Sequence, residues 1–63
     1  MTAVAADQYR HDAFGQYIYV RRPVESRWWE IQYPSGQRRN YLPSTIEQNY
    51  PHVTKKPESW VHQ

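Results

Sequence analysis

The chain has no cysteine, so it can form no disulfide and no thiolate-bound zinc site. No apolar run approaches the ~20 residues needed to cross a bilayer, and no membrane partner is expected. The opening residues, Met1 to Asp7, lack the basic start and apolar stretch of a signal peptide, which predicts a cytoplasmic protein. Charge of one sign is not in great excess either. The net charge is +2 and the isoelectric point about 9.2. That balance is far from an acidic nucleic-acid mimic. It is also short of a duplex-DNA binder, whose affinity comes mainly from neutralising phosphates. At 63 residues there is one domain at most. A domain of this size buries only about 60% of the surface its unfolded chain exposes. Without cross-links, its stability must come from packing or from oligomerisation.

Aromatics are what the chain does have: three Trp, six Tyr and one Phe. Each such ring can bury roughly 150–250 Å², which suits a small sheet with a thin aromatic core. The fold class expected is mostly β, a three-stranded antiparallel sheet over residues 15–51 with one short helix packed on it. Residues 1–14 are expected as a flexible N-terminal arm, with a weak helical tendency at Ala3 to Tyr9. Residues 52–63 are expected as a flexible tail, in which Trp60 either docks on the sheet or awaits a partner.

The strands are read from alternation. Gln16 to Arg22 sets Tyr17, Tyr19 and Arg21 opposite Ile18, Val20 and Arg22, in residue types that favour strands. Pro23 breaks the run because it cannot donate to a ladder. Arg27 to Tyr33 alternates again, with Trp29, Ile31 and Tyr33 on one side. Tyr33-Pro34-Ser35-Gly36-Gln37 then has proline where a type I turn wants φ near −65° and glycine where a left-handed residue follows. That is a three-residue hairpin with a glycine bulge, and it pairs Trp29 with Tyr41. A four-residue loop at 23–26 pairs Val20 with Trp29 and Ile18 with Ile31. It places Tyr19 opposite Glu30 and Arg21 opposite Trp28. Both registers give the same apolar face, and a one-residue slip would destroy that agreement. After Leu42-Pro43, the spacing Ser44-x-x-Glu47 predicts a capping box and a helix of one to two turns near Thr45 to Tyr50, with Ile46 and Tyr50 over the apolar face.

No catalytic, cofactor or metal site is expected. His11, His52 and His62 fall in segments read as loop or tail without metal-like spacing, the six carboxylates form no evident pair, and the serines have turn or cap explanations. The outer face is different. Tyr17, Tyr19, Arg21, Trp28 and Arg38 form the expected partner-binding surface. Tyr, Trp and Arg are enriched at binding hot spots because they bury much area at little rotamer cost. An Arg21–Trp28 cation–π contact would fit this register. Arg22 and Arg39 fall at the rim of the inner face, where cations discourage edge aggregation.

Trp29-Glu30, the Ser-Gly turn and Tyr41 resemble a WW domain in architecture only. The paired aromatics of that family's second strand and its closing Trp-x-x-Pro are missing. Tyr33-Pro34-Ser35-Gly36, followed by Leu42-Pro43-Ser44-Thr45-Ile46-Glu47-Gln48-Asn49-Tyr50, resembles small phage-encoded accessory proteins. The resemblance implies a short regulator that binds and inhibits a large host machine, with host RNA polymerase the first expectation. The same aromatic–basic face also suits single-stranded nucleic acid, with rings stacking on bases and Lys55-Lys56 meeting phosphates. A weak homodimer covering that face is a third arrangement, beside a monomer.

Overall fold

A computed structural model describes residues 7–58 and Trp60. Residues 1–6, where the helical tendency was expected to begin, lie outside the described residues, as do 59 and 61–63 of the expected tail. The elements are β1 (Gln8–His11), β2 (Tyr17–Arg21), β3 (Trp29–Gln32), β4 (Arg38–Tyr41), α1 (Pro43–Asn49) and β5 (His52–Thr54). The strands form one antiparallel sheet in the order β4-β3-β2-β1-β5.

The mostly β class and the short helix are as expected, but the described residues form five strands instead of three. The two additional strands come from the segments read as arm and tail. β1 escapes a periodicity search because its inward positions are Gln8 and Arg10, which pair with Val20 and Ile18. β5 is only three residues long and follows Pro51 directly.

The core lies on one face. Ile18, Val20, Ile31 and Ile46 are fully buried in a single cluster, with Trp29, Tyr33 and Tyr50 packed against it. Burying each such aliphatic side chain contributes about 1.5–3 kcal/mol. α1 leads from the β4 edge to the β5 edge and presses Ile46 into that cluster. Its start differs from the expected capping box. Leu42 is the N-cap, Pro43 occupies the first turn, and no side chain caps the helix. Proline has no N–H to orphan there and arrives with a helical φ, so it displaces Ser44 from the cap role. The Leu42 carbonyl accepts from the Thr45 and Ile46 amides at 3.0 and 3.3 Å.

The β3–β4 hairpin forms in the expected register, Trp29 opposite Tyr41. Gly36 has φ +94°, and the Tyr33 amide donates to the Gln37 carbonyl at 2.9 Å. The β2–β3 register departs by two residues: Val20 lies opposite Ile31 and Arg21 opposite Glu30. The connection is longer than four residues, because the Ser26 amide closes a turn on Pro23 and the Ser26 hydroxyl accepts from the Trp28 amide. A slip of two leaves every side chain on its expected face, since strand side chains alternate with period two.

The remaining hairpin uses the same turn chemistry as 33–37. The Asp12 amide donates to the Gln16 carbonyl, the Gly15 amide to the Asp12 carbonyl, and Gly15 has φ +81°. The Asp12 carboxylate also accepts from the Phe14 and Gln16 amides, both at 2.9 Å.

Candidate functional site

With the core face closed by α1, the opposite face carries the candidate site. The register places Tyr9 and His11 of β1, Tyr17, Tyr19 and Arg21 of β2, Glu30 and Gln32 of β3, and Arg38 and Asn40 of β4 on that side. The side chains fall into two regions that share Tyr19.

The first is a shallow polar cleft of about 300 Å³, lined by Asp7, Tyr19, Arg21, Glu30, Gln32 and Arg38, with Ile31 at its base. Three of the five expected binding residues, Tyr19, Arg21 and Arg38, meet here. Each is set by a cross-strand partner: Tyr19 faces Gln32, Arg21 faces Glu30, and Gln32 faces Arg38. The Tyr19 hydroxyl donates to the Asp7 carboxylate. Its pKa is pushed up to about 12, first by burial and then by the hydrogen bond to Asp7 and that carboxylate's charge, with Arg21 pulling the other way.

The second region is aromatic and lies toward β1 and β5. Tyr9 packs on Tyr19 with ring centroids 5.2 Å apart, and the Trp60 indole meets Tyr9 edge-on at 5.7 Å. Trp60 is therefore docked, and 94% of its surface is covered, its exposure being 6%. Burial raises the Tyr9 pKa, with the nearby Asp7 charge adding to it. Farther along, His11 lies between Tyr17 and His52, with centroid separations of 5.3 and 4.7 Å. Tyr17 thus belongs to this row and does not line the polar cleft. It borders a separate cleft of about 280 Å³ with Tyr33, Tyr50, Pro57 and Trp60.

Trp28 is half exposed and borders a neighbouring hollow with Pro23, Ser26, Glu30 and Asn40, so Glu30 links it to the polar cleft. The expected Arg21–Trp28 pairing does not occur, because the two-residue change in register puts Arg21 across from Glu30. The cation–π contact is instead made by Arg22 over Trp29, at 5.6 Å, on the rim of the core face.

Sequence reasoning missed Asp7, Tyr9, His11 and His52 as outer-face residues, since all four lie in segments read as arm or tail. The signal that finds the first three is the Asp12-to-Gly15 turn, and none in the sequence points to His52. The turn matches Tyr33 to Gly36 in hydrogen bonding and implies a strand on either side. Among the described residues, no group of three or more His, Cys, Asp or Glu side chains gathers as a metal cluster. No helix of the described chain is long and apolar enough to cross a membrane. Compared with known protein families, curated proteins and solved structures, the chain matches none of them.

Proposed function

We propose that this chain is a small non-enzymatic binding protein that docks a protein partner on its outer face, centred on Tyr19, Arg21 and Arg38, with Trp28 and Tyr17 at the periphery. The observation that carries the reading is the charge pattern of the cleft. Asp7 and Glu30 line the same hollow as Arg21 and Arg38. A phosphate backbone gains only from the cations and is repelled by the carboxylates, so a single-stranded nucleic acid is poorly matched. A protein surface offers both signs and backbone groups, and interleaved charges of this kind set orientation and reject wrong partners. The rings supply contact area at little entropic cost. The likeness of residues 33–50 to phage accessory proteins makes a host machine the partner to try first, host RNA polymerase before others. In that case the protein inhibits transcription in the host cytoplasm.

The test is affinity capture from bacterial lysate, with and without nuclease and at two salt concentrations, beside an Arg21→Glu/Arg38→Glu variant. A discrete protein complex that survives nuclease and moderate salt, and is lost in the folded variant, supports the proposal. Recovery of nucleic acid alone, released by salt, overturns it. So does undiminished capture of the same protein by the variant.

A further inference from the structure

We propose that His11 and His52 form a two-nitrogen chelate for a divalent transition metal of the zinc, nickel and copper class, on the outer face where β5 joins β1. The two histidines are direct cross-strand partners in the antiparallel register. Their rings stack with centroids 4.7 Å apart and planes 25° from parallel. His52 is exposed and His11 partly so, which leaves the pair open to an ion from solvent.

The second observation concerns orientation. Nδ1 of His11 lies 2.9 Å from the Asp12 carbonyl oxygen. A carbonyl can only accept, so the hydrogen resides on Nδ1 and the neutral ring presents its lone pair at Nε2. Metal-binding imidazoles are held in this way, with the second ring nitrogen donating to a carbonyl or carboxylate that fixes tautomer and angle. The same Asp12 closes the β1–β2 turn through its carboxylate, so the orienting carbonyl sits on a fixed piece of backbone.

The stack must open to take an ion, because the in-plane lone pairs of rings 25° from parallel do not converge on one point. Two nitrogens bound to one tetrahedral zinc at 2.0–2.1 Å lie about 3.3 Å apart. The His11 ring stays on the Asp12 carbonyl, and the His52 ring closes to that separation by turning out of the stack about χ2, which for histidine is a broad and soft torsion. Two imidazoles suit zinc, copper and nickel, whereas magnesium and calcium demand oxygen ligands. Water completes the shell in the isolated chain. A bound ion would tie the outermost three-residue strand to its neighbour, in a chain with no disulfide to do so.

The experiment uses the full chain without a histidine tag, titrated with zinc chloride and nickel chloride, and with magnesium chloride as the control. With zinc at roughly ten times its Kd, linkage raises the melting midpoint by about 6–11 °C. His11→Gln and His52→Gln each remove most of that shift, and His62→Gln retains it. Imidazole nitrogen NMR of the unmodified chain provides a readout independent of any variant's folding. Zinc-induced shifts of the His11 and His52 rings support the chelate. The proposal is overturned if zinc produces neither heat nor ring shifts, if the double variant binds as tightly as the parent, or if the perturbed ring is His62 alone.

Discussion

The two faces of the sheet are built from different chemistry. The inner face holds three aliphatic side chains at 1% exposure or less, sealed by a seven-residue helix that adds Ile46 as a fourth. Of the outer face's residues in the three strands that make the polar cleft, none is fully buried, and they are tyrosines, arginines, a carboxylate and amides. One face therefore carries the aliphatic core, and the other is polar and partly open to solvent. The division should appear as a division of mutational effects. Ile31→Ala makes the largest expected change, about 2–5 kcal/mol, because deleting buried methyls costs transfer free energy and leaves a cavity. A core of this size rarely supplies more than ~3–5 kcal/mol in total, so the variant should be largely unfolded by circular dichroism at room temperature. A cooperative melt near the parent's would mean that the inner face is not the source of stability.

Arg10 is the exception that tests the comparison from inside. It is charged, lies on the inner face and is only 7% exposed. Its Nε donates to the Tyr50 carbonyl at 2.6 Å, and a terminal nitrogen donates to the Gln8 side chain at 3.1 Å. Tyr50 is the C-cap of α1, so the guanidinium occupies one of the helix's orphan carbonyls and complements the negative end of its dipole. Arg10→Met keeps much of the stem but removes the donors. The expected cost is about 1.5–3 kcal/mol, with the loss concentrated in the amide-exchange protection of α1. Uniform loss across the sheet would show that Arg10 acts through packing alone.

The same residue explains what sequence reading could and could not recover. β2 and β3 were legible because Ile18, Val20 and Ile31 alternate with polar neighbours, and β4 followed from the Pro-Ser-Gly turn. β1 was hidden because a buried arginine occupies the position where a search for periodicity expects an aliphatic. Its partners, the Tyr50 carbonyl at the end of the helix, forty residues away, and the Gln8 side chain, make that burial tolerable. The turn at 12–16 points to a strand before it as well as after, but the segment on its N-terminal side has no apolar alternation to match. Of the five expected site residues, three converge on one cleft. Trp28 and Tyr17 do not, since the length of the 22–28 connection and the existence of β1 set their surroundings.

A smaller effect separates the faces by pH. The Tyr19 hydroxyl keeps its proton to about 12 in the folded chain, against 10.0 for the ordinary group. Between those values the unfolded chain has lost a proton that the folded one retains, so stability falls as pH rises through this window and is unaffected below it. Tyr19→Phe should cost about 1 kcal/mol or less at neutral pH, where only an exposed hydrogen bond is lost. It should also make the alkaline decline shallower. Tyrosinate titration by absorbance should lose its latest step, while the raised titrations of Tyr9 and Tyr33 persist. An unchanged late step would assign it to one of those two rings.

The smallest expected change in stability gives the sharpest separation of the faces. Arg21 and Glu30 are direct cross-strand partners and both line the polar cleft. Such opposite-charge pairs contribute roughly 0.2–1 kcal/mol, and like charges placed opposite each other cost a similar amount. Arg21→Glu alone should therefore lower stability by a few tenths to about 1 kcal/mol, and Arg21→Glu/Glu30→Arg should restore it, since the pair is re-formed in reverse. Binding should not follow. The exchange leaves the net charge unchanged but inverts the order in which a partner meets the two signs, so capture should fail in the double variant although its melt matches the parent's. Recovery of stability without recovery of binding would establish that the outer face is read by its charge order. Recovery of both would mean that Arg21 matters only as half of a cross-strand pair, and that the docking surface lies elsewhere on the molecule.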